Sequence, residues 1–167
     1  GNGYGITAVV GKKEIMDNAQ KTFISSTFWT ERVGPTAALK TLEIMEKIKS
    51  WEKIYKKGKY FKNRLSKIIQ KYDLPINLYG SNGIPSFTFN SKDNLKYKTF
   101  ITQEMLKSNI LASNVIYMSV KHSSKMFDDY FNCLESIFEK IADCEKTYKI
   151  DKLLEGPVCH ATFQRLN

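Results

Sequence analysis

Hydrophobic residues recur at helical spacing in two long stretches of the chain, and these stretches predict its two longest helices. The first stretch begins at Thr36, directly after Pro35, and continues to about Tyr72. Proline is well tolerated at a helix start because the missing N–H would have no partner there. Gly58 is a candidate position for a kink within this helix. The second stretch follows Ser123-Ser124, which favours a capped start, and continues to about Lys146.

Shorter apolar runs with turn residues between them predict strands and two further helices. The predicted strands are residues 6–10, 76–80, 84–89, 110–112 and 115–120. Helices are expected at 12–19 and 95–108, and residues 22–35 are expected to form an irregular loop. Phe87 and Phe89 should share one face of their strand because side chains alternate along a strand. Strands and helices in this order predict an α+β layer, in which a small sheet has helices on one side.

The net charge of +9 and the isoelectric point near 9.4 raise the question of nucleic-acid binding. Most of the charge lies between Lys40 and Lys71, spread around a predicted helix without a recognised binding motif, which is typical of a solvated face. No apolar run approaches the ~20 residues that span a bilayer. We therefore expect no membrane and no nucleic acid as partners. The cationic residues of this region are Lys47, Lys49, Lys53, Lys56, Lys57, Lys59, Lys62, Arg64 and Lys67.

Three cysteines without CxxC spacing indicate reduced thiols rather than a disulfide framework. A cytoplasmic, reducing compartment is the natural interpretation. Cys159-His160 together with His122 is a weak match to a zinc site, so no metal is expected.

A glycine cluster opens the chain, and it carries a family resemblance. Gly1-Asn2-Gly3-Tyr4-Gly5 lets a backbone approach a neighbour closely, and x-x-Ala-Val-Val-Gly and a Glu-Ile-Met-Asp helix follow it. This pattern resembles the class III (fold type I) aminotransferases, which use pyridoxal 5'-phosphate, and in particular glutamate-1-semialdehyde aminotransferase (aminomutase). In that family the Schiff-base lysine lies a few residues before this cluster. The resemblance thus places the lysine upstream of Gly1, since Lys12 and Lys13 follow the cluster.

The resemblance implies a domain organisation for the whole chain. Residues 1–40 would be the last part of the large cofactor-binding domain, 41–73 a long linking helix and 74–167 the small C-terminal domain. A chain that begins inside the glycine cluster is expected to be the C-terminal fragment of a larger enzyme, without activity alone.

The loop before the first long helix is the second informative stretch, because it combines hydroxyl side chains with a helix start, and both suit a phosphate. In the family, a threonine five residues before an Asn-Pro binds the cofactor phosphate of the neighbouring subunit. Gly34-Pro35 stands at the Asn-Pro position here, and counting back without a gap reaches Thr30. An insertion in the loop would give the role to Thr27. The resemblance therefore implies a homodimer with a shared phosphate site.

Two arginines are candidates for binding the carboxylate of a small amino donor or acceptor, because a guanidinium matches that group in a bidentate fork. They are Arg32, for which an ion pair with Glu31 or another neighbour is the favoured alternative, and Arg165 near the carboxyl end. His122 follows a predicted strand and is more simply explained as a hydrogen-bonded structural residue.

The function predicted from the sequence is that of part of a pyridoxal-phosphate aminotransferase or aminomutase. A competing hypothesis is a basic, non-enzymatic module that binds nucleic acid or an acidic partner. A degenerate aminotransferase homologue kept for assembly or regulation is a third.

Overall fold

The computed structural model describes residues 2–24, 27–28, 30–147 and 149–161. The chain divides into two compact units, Gly1–Ser50 and Trp51–Asn167. In chain order the elements are α1 (Lys13–Met16), a 3-10 helix (Asp17–Lys21), α2 (Val33–Ile48), α3 (Ser50–Lys71), β1 (Ile76–Tyr79), β2 (Ser86–Phe89), α4 (Asn94–Lys107), α5 (Ser124–Thr147) and a second 3-10 helix (Ile150–Leu153).

The predicted strand at residues 6–10 is wrong, because the described residues of the first unit contain no strand. A strand needs a neighbour for its backbone hydrogen bonds, and the described part of this unit supplies none. The apolar side chains of the segment are exposed, Val10 by 87%. The helix predicted at 12–19 is confirmed as α1 followed by the first 3-10 helix.

The single helix predicted over residues 36–72 is two helices. Lys49 adopts a left-handed conformation (φ 48°, ψ 55°), and its N–H caps α2 at the carbonyls of Met45 and Glu46. Apolar spacing continues across this residue, so periodicity alone did not reveal the break. Helix α2 also begins three residues earlier than expected, with Pro35 inside its first turn, where its missing N–H still leaves no bond unmade.

Gly58 does not kink α3, and its role is to allow a close approach. A Cβ built on Gly58 would lie 1.6 Å from the carbonyl oxygen of Asn82, in the turn between β1 and β2. That distance is far inside van der Waals contact. The turn therefore rests on the backbone of α3, and only glycine leaves room for it.

The core of the second unit lies between α3, the β-hairpin, α4 and α5. Strands β1 and β2 pair antiparallel, with Leu78 opposite Phe87, and the expected shared face is confirmed because Phe87 and Phe89 are both buried. Helix α3 meets α5 through the rings of Phe61 and Phe131, whose centroids are 4.8 Å apart. The largest fully buried side chains are Tyr97, Phe61, Phe87, Phe100, Phe131, Phe138, Leu65, Ile101, Met105, Leu134, Ile137 and Ile141.

The strands predicted at 110–112 and 115–120 do not form as regular strands. Residues 114–118 instead run beside β2, joined to its side of the hairpin by one bridge and three backbone hydrogen bonds. The bridge pairs Ser86 with Val115, and one of the bonds runs from the Met118 N–H to the Gly83 carbonyl at 3.0 Å. This segment is an incomplete third strand. The helices expected at 95–108 and 123–146 are confirmed as α4 and α5.

Candidate functional site

The opening glycines and the loop before α2 lie against each other in the first unit. Asn2 (φ 49°) and Gly3 (φ 107°) adopt left-handed backbone conformations. A Cβ on Gly5 would lie 3.2 Å from Cε2 of Phe28, so the ring of Phe28 lies directly over Gly5. Within this chain, the ring of Phe28 is therefore one group that approaches the glycine cluster closely.

Gly34 completes this contact from the first turn of α2. A Cβ on Gly34 would lie only 2.6 Å from the carbonyl oxygen of Gly5. Any side chain there would force the first turn of α2 away from the glycine segment. The two glycines thus hold the start of the helix and the opening segment in contact.

Glu31 caps the N-terminus of α2 with its side chain. Its Oε1 accepts the Val33 N–H at 2.7 Å and its Oε2 accepts the Gly34 N–H at 3.1 Å. A carboxylate in this position satisfies amides that lack an intrahelical partner and offsets the positive end of the helix dipole. Those two amides are therefore not available to a phosphate as long as Glu31 holds them. From the sequence, Glu31 was expected only as an ion-pair partner of Arg32, and its capping role was not predicted.

The candidate threonines lie in the turn ahead of α2. Thr27 and Thr30 are both exposed. Arg32 is the residue immediately before α2, and its carbonyl accepts the Thr36 hydroxyl at 2.7 Å. Thr27, Thr30 and Arg32 therefore lie in one short segment of the chain directly before α2.

Arg165, the other candidate for substrate binding, lies outside the described residues, as do Ser25, Ser26 and Trp29 of the loop before α2. Lys12 and Lys13 are described and exposed at the start of α1.

In the second unit, His122 is a hydrogen-bonded structural residue, which was the simpler of the two interpretations of its sequence position. Its Nδ1 accepts the Ser119 N–H at 3.3 Å, and its ring meets Phe127 edge-on with centroids 5.8 Å apart. Burial, and secondarily the ammonium of Lys57, lower the pKa of His122 below its ordinary value. Lys57 donates to the carbonyls of Val120, at 2.7 Å, and of His122. Lys57 therefore fastens the loop before α5 to α3.

Other cations of the lysine-rich region also make contacts within the second unit. Arg64 pairs with Asp128, and Lys62 donates to the Gly80 carbonyl at 3.0 Å. These contacts, with those of Lys57, show that part of the cationic surface serves the fold itself.

A cavity of about 760 Å³ lies between the segment at residues 108–117 and α5. Phe61, Ile116, Phe127 and Tyr130 contribute to its lining. The hydroxyl of Tyr130 is buried and finds no hydrogen-bond partner in the described chain, and burial raises the pKa of this phenol.

The described ranges contain neither a cluster of metal ligands nor a membrane-spanning helix. No group of three or more His, Cys, Asp or Glu side chains there could hold a metal ion. In the same ranges no helix combines the length and apolar character needed to cross a bilayer. Cys133, Cys144 and Cys159 are all free thiols.

Known proteins similar to this chain are aminotransferases and an aminomutase. The chain is 31% identical over 151 residues to the 3-aminobutyryl-CoA aminotransferase of Cloacimonas acidaminovorans, covering 87% of this chain and 36% of that relative. It is 25% identical over 158 residues to the glutamate-1-semialdehyde 2,1-aminomutase of Methanococcus vannielii, covering 84% and 37%. No family model matches the chain. The chain thus spans little more than a third of the length of these relatives.

A solved structure shares the fold. The FumI protein of Sphingopyxis sp. MTA144, in its PLP internal aldimine form, superposes with a TM-score of 0.69 at 18% identity, covering 83% of this chain and 34% of that protein. This likeness confirms the expected α+β fold. The aminotransferase relatives confirm the resemblance at the level of the class III aminotransferases.

Proposed function

We propose that this chain is the C-terminal part of a pyridoxal-phosphate-dependent class III aminotransferase or aminomutase. The observation that carries the proposal is the similarity to an aminotransferase over 87% of the chain. The contact of Gly5 with Phe28, in the segment that also carries Thr27 and Thr30, supports it. When bound, the cofactor would accept the electron pair released at the Cα of the substrate.

The substrate remains a small molecule with an amino or carbonyl group. The opening motif suggests a reaction like that of glutamate-1-semialdehyde aminomutase. The relative that is 31% identical over 151 residues is a 3-aminobutyryl-CoA aminotransferase, which makes a reaction of that kind the alternative. In the proposed enzyme Arg32 and Arg165 bind the carboxylate of the amino donor or acceptor. Replacing either by Ala should then raise the Michaelis constant of the amino acceptor, and unchanged constants in both variants would exclude this role.

The proposed enzyme is a cytoplasmic homodimer in which the turn before α2 contributes to the phosphate site of the partner subunit. The Schiff-base lysine is expected upstream of Gly1. The test uses the protein expressed from the complete reading frame, incubated with pyridoxal phosphate and reduced with borohydride. Peptide mapping should find the pyridoxyl group on a lysine upstream of Gly1. A protein with no labelled lysine would refute the proposal.

Within this enzyme we assign the phosphate to Thr30, with Thr27 as the alternative. Both are exposed in the turn before α2. A hydrogen bond to a charged group contributes about 1.5–3 kcal/mol, so Ala at the correct threonine should weaken pyridoxal-phosphate binding about ten- to hundred-fold. Thr41→Ala is the matched control, because the Thr41 hydroxyl donates to the Ala37 carbonyl within α2 at 2.8 Å. Unchanged affinity in both Thr30→Ala and Thr27→Ala would remove the assignment.

A further inference from the structure

We propose that Glu31 is a positioning residue for the proposed phosphate site. It fixes the shape of the turn that carries Thr27 and Thr30, so that a bound phosphate is held by threonine hydroxyls and not by the first amides of α2. The inference rests on the function proposed above and adds a residue to it that the family resemblance does not supply.

Glu31 fastens the turn at both of its ends. Its backbone N–H donates to the Phe28 carbonyl at 3.2 Å, which joins Glu31 to the residue three positions earlier. Its side chain reaches forward to α2, where each carboxylate oxygen accepts one amide, from Val33 and from Gly34. One residue therefore links the turn to the helix.

The turn before α2 also packs against the opening glycine segment. The ring of Phe28 lies over Gly5, and Gly34 lies against the Gly5 carbonyl oxygen. Glu31 forms hydrogen bonds with Phe28 and Gly34 as well as with Val33. A change in the Glu31 contacts would thus shift the turn relative to the opening segment and displace Thr27 and Thr30.

The chemistry of the cap decides which groups can serve the phosphate. The positive end of a helix attracts anions through its free amides, but here a carboxylate already holds two of those amides. A dianionic phosphate would have to displace a like charge to use them. Donors that leave the cap intact are the hydroxyl groups of the turn.

The amide variant Glu31→Gln separates two opposite outcomes. Glutamine has one acceptor oxygen where glutamate has two, so one cap bond is lost and the turn loosens, which weakens phosphate binding if Glu31 is a positioning residue. The same change frees an amide and removes a negative charge, which tightens phosphate binding if the amides of α2 are the donors.

The experiment compares the dissociation constants of pyridoxal phosphate and of pyridoxal, which lacks the phosphate, in the protein expressed from the complete reading frame. We expect Glu31→Gln to weaken pyridoxal-phosphate binding about five- to ten-fold, the size of a lost helix cap, with little change for pyridoxal. Glu43→Gln is the control, because Glu43 is an exposed residue within α2, where it forms an ion pair with Lys40 at 2.7 Å. It should change neither constant.

Three results would overturn the inference. Tighter or unchanged pyridoxal-phosphate binding in Glu31→Gln would show that the turn does not depend on the cap. Equal weakening for both ligands would show a general structural defect. If Glu31→Gln does not fold, Glu31→Asp keeps two acceptor oxygens on a shorter arm, and pyridoxal-phosphate binding as tight as in the wild type would count against positioning. A wild-type protein that binds neither ligand would refute the proposed function itself, before any variant is compared.

Discussion

Replacement of Gly58 by Ala tests the contact between α3 and the hairpin turn. In an ordinary helix interior this change is favourable by about 1 kcal/mol, because glycine has more backbone freedom to lose on folding. Here the new Cβ would lie 1.6 Å from the Asn82 carbonyl oxygen, and real Cβ contacts are essentially never shorter than 3.0 Å. The turn would have to retreat by at least about 1.4 Å.

That retreat would also break the hydrogen bonds that hold the turn. The Gly83 carbonyl accepts the Met118 N–H at 3.0 Å, and a hydrogen bond contributes about 0.5–1.5 kcal/mol. Overpacking of a well-packed site costs about 1–3 kcal/mol. After the helix-propensity gain is subtracted, we expect a net loss of about 2 kcal/mol in the free energy of unfolding.

The assay is urea unfolding followed by far-UV circular dichroism, in which a loss of this size lowers the midpoint by about 1 M. Gly83→Ala is the matched control, since a Cβ there meets only Ser81 Oγ at 3.6 Å and Ile54 Cγ2 at 3.8 Å, which are ordinary contacts. If Gly58→Ala unfolds at the wild-type midpoint or above it, helix propensity dominates and the turn does not rest on α3 as described.

Two further predictions concern the loop before α5. Because the folded-state pKa of His122 lies below the ordinary value of 6.5, its contribution to stability is fully present above about pH 6.5 and is lost as the pH falls through the folded-state pKa. Between about pH 7.5 and 5, the free energy of unfolding should therefore fall less for His122→Gln than for the wild type. His160→Gln is the control, and a fall as small as that of His122→Gln in this control would contradict the prediction. Lys57→Met should lower the free energy of unfolding by about 1–3 kcal/mol, because two carbonyls lose a charged donor, whereas Lys53→Met, at an exposed position of the same helix, should stay within about 0.5 kcal/mol. Equal effects of the two lysine variants in urea unfolding would refute the role of Lys57.

Local patterns in the sequence determined most of the second unit. Helices α4 and α5 and the β1–β2 hairpin follow from apolar periodicity, from the Ser123-Ser124 cap and from the alternation that buries Phe87 and Phe89. These signals are short-range, so they can be read without knowledge of neighbours. The resemblance to aminotransferases was also readable, because the opening glycine cluster and the residues that follow it carried it.

Only the tertiary structure decided the features that depend on groups distant in the chain. The Lys49 break lies within an unbroken apolar period, and the segment at 6–10 has strand composition but no strand partner among the described residues. Gly58 resembled a flexible point until the Asn82 carbonyl was found against it. The capping role of Glu31 likewise depended on where α2 begins. Periodicity reports which side of an element is apolar, whereas close contacts and hydrogen-bond partners exist only after the chain has folded.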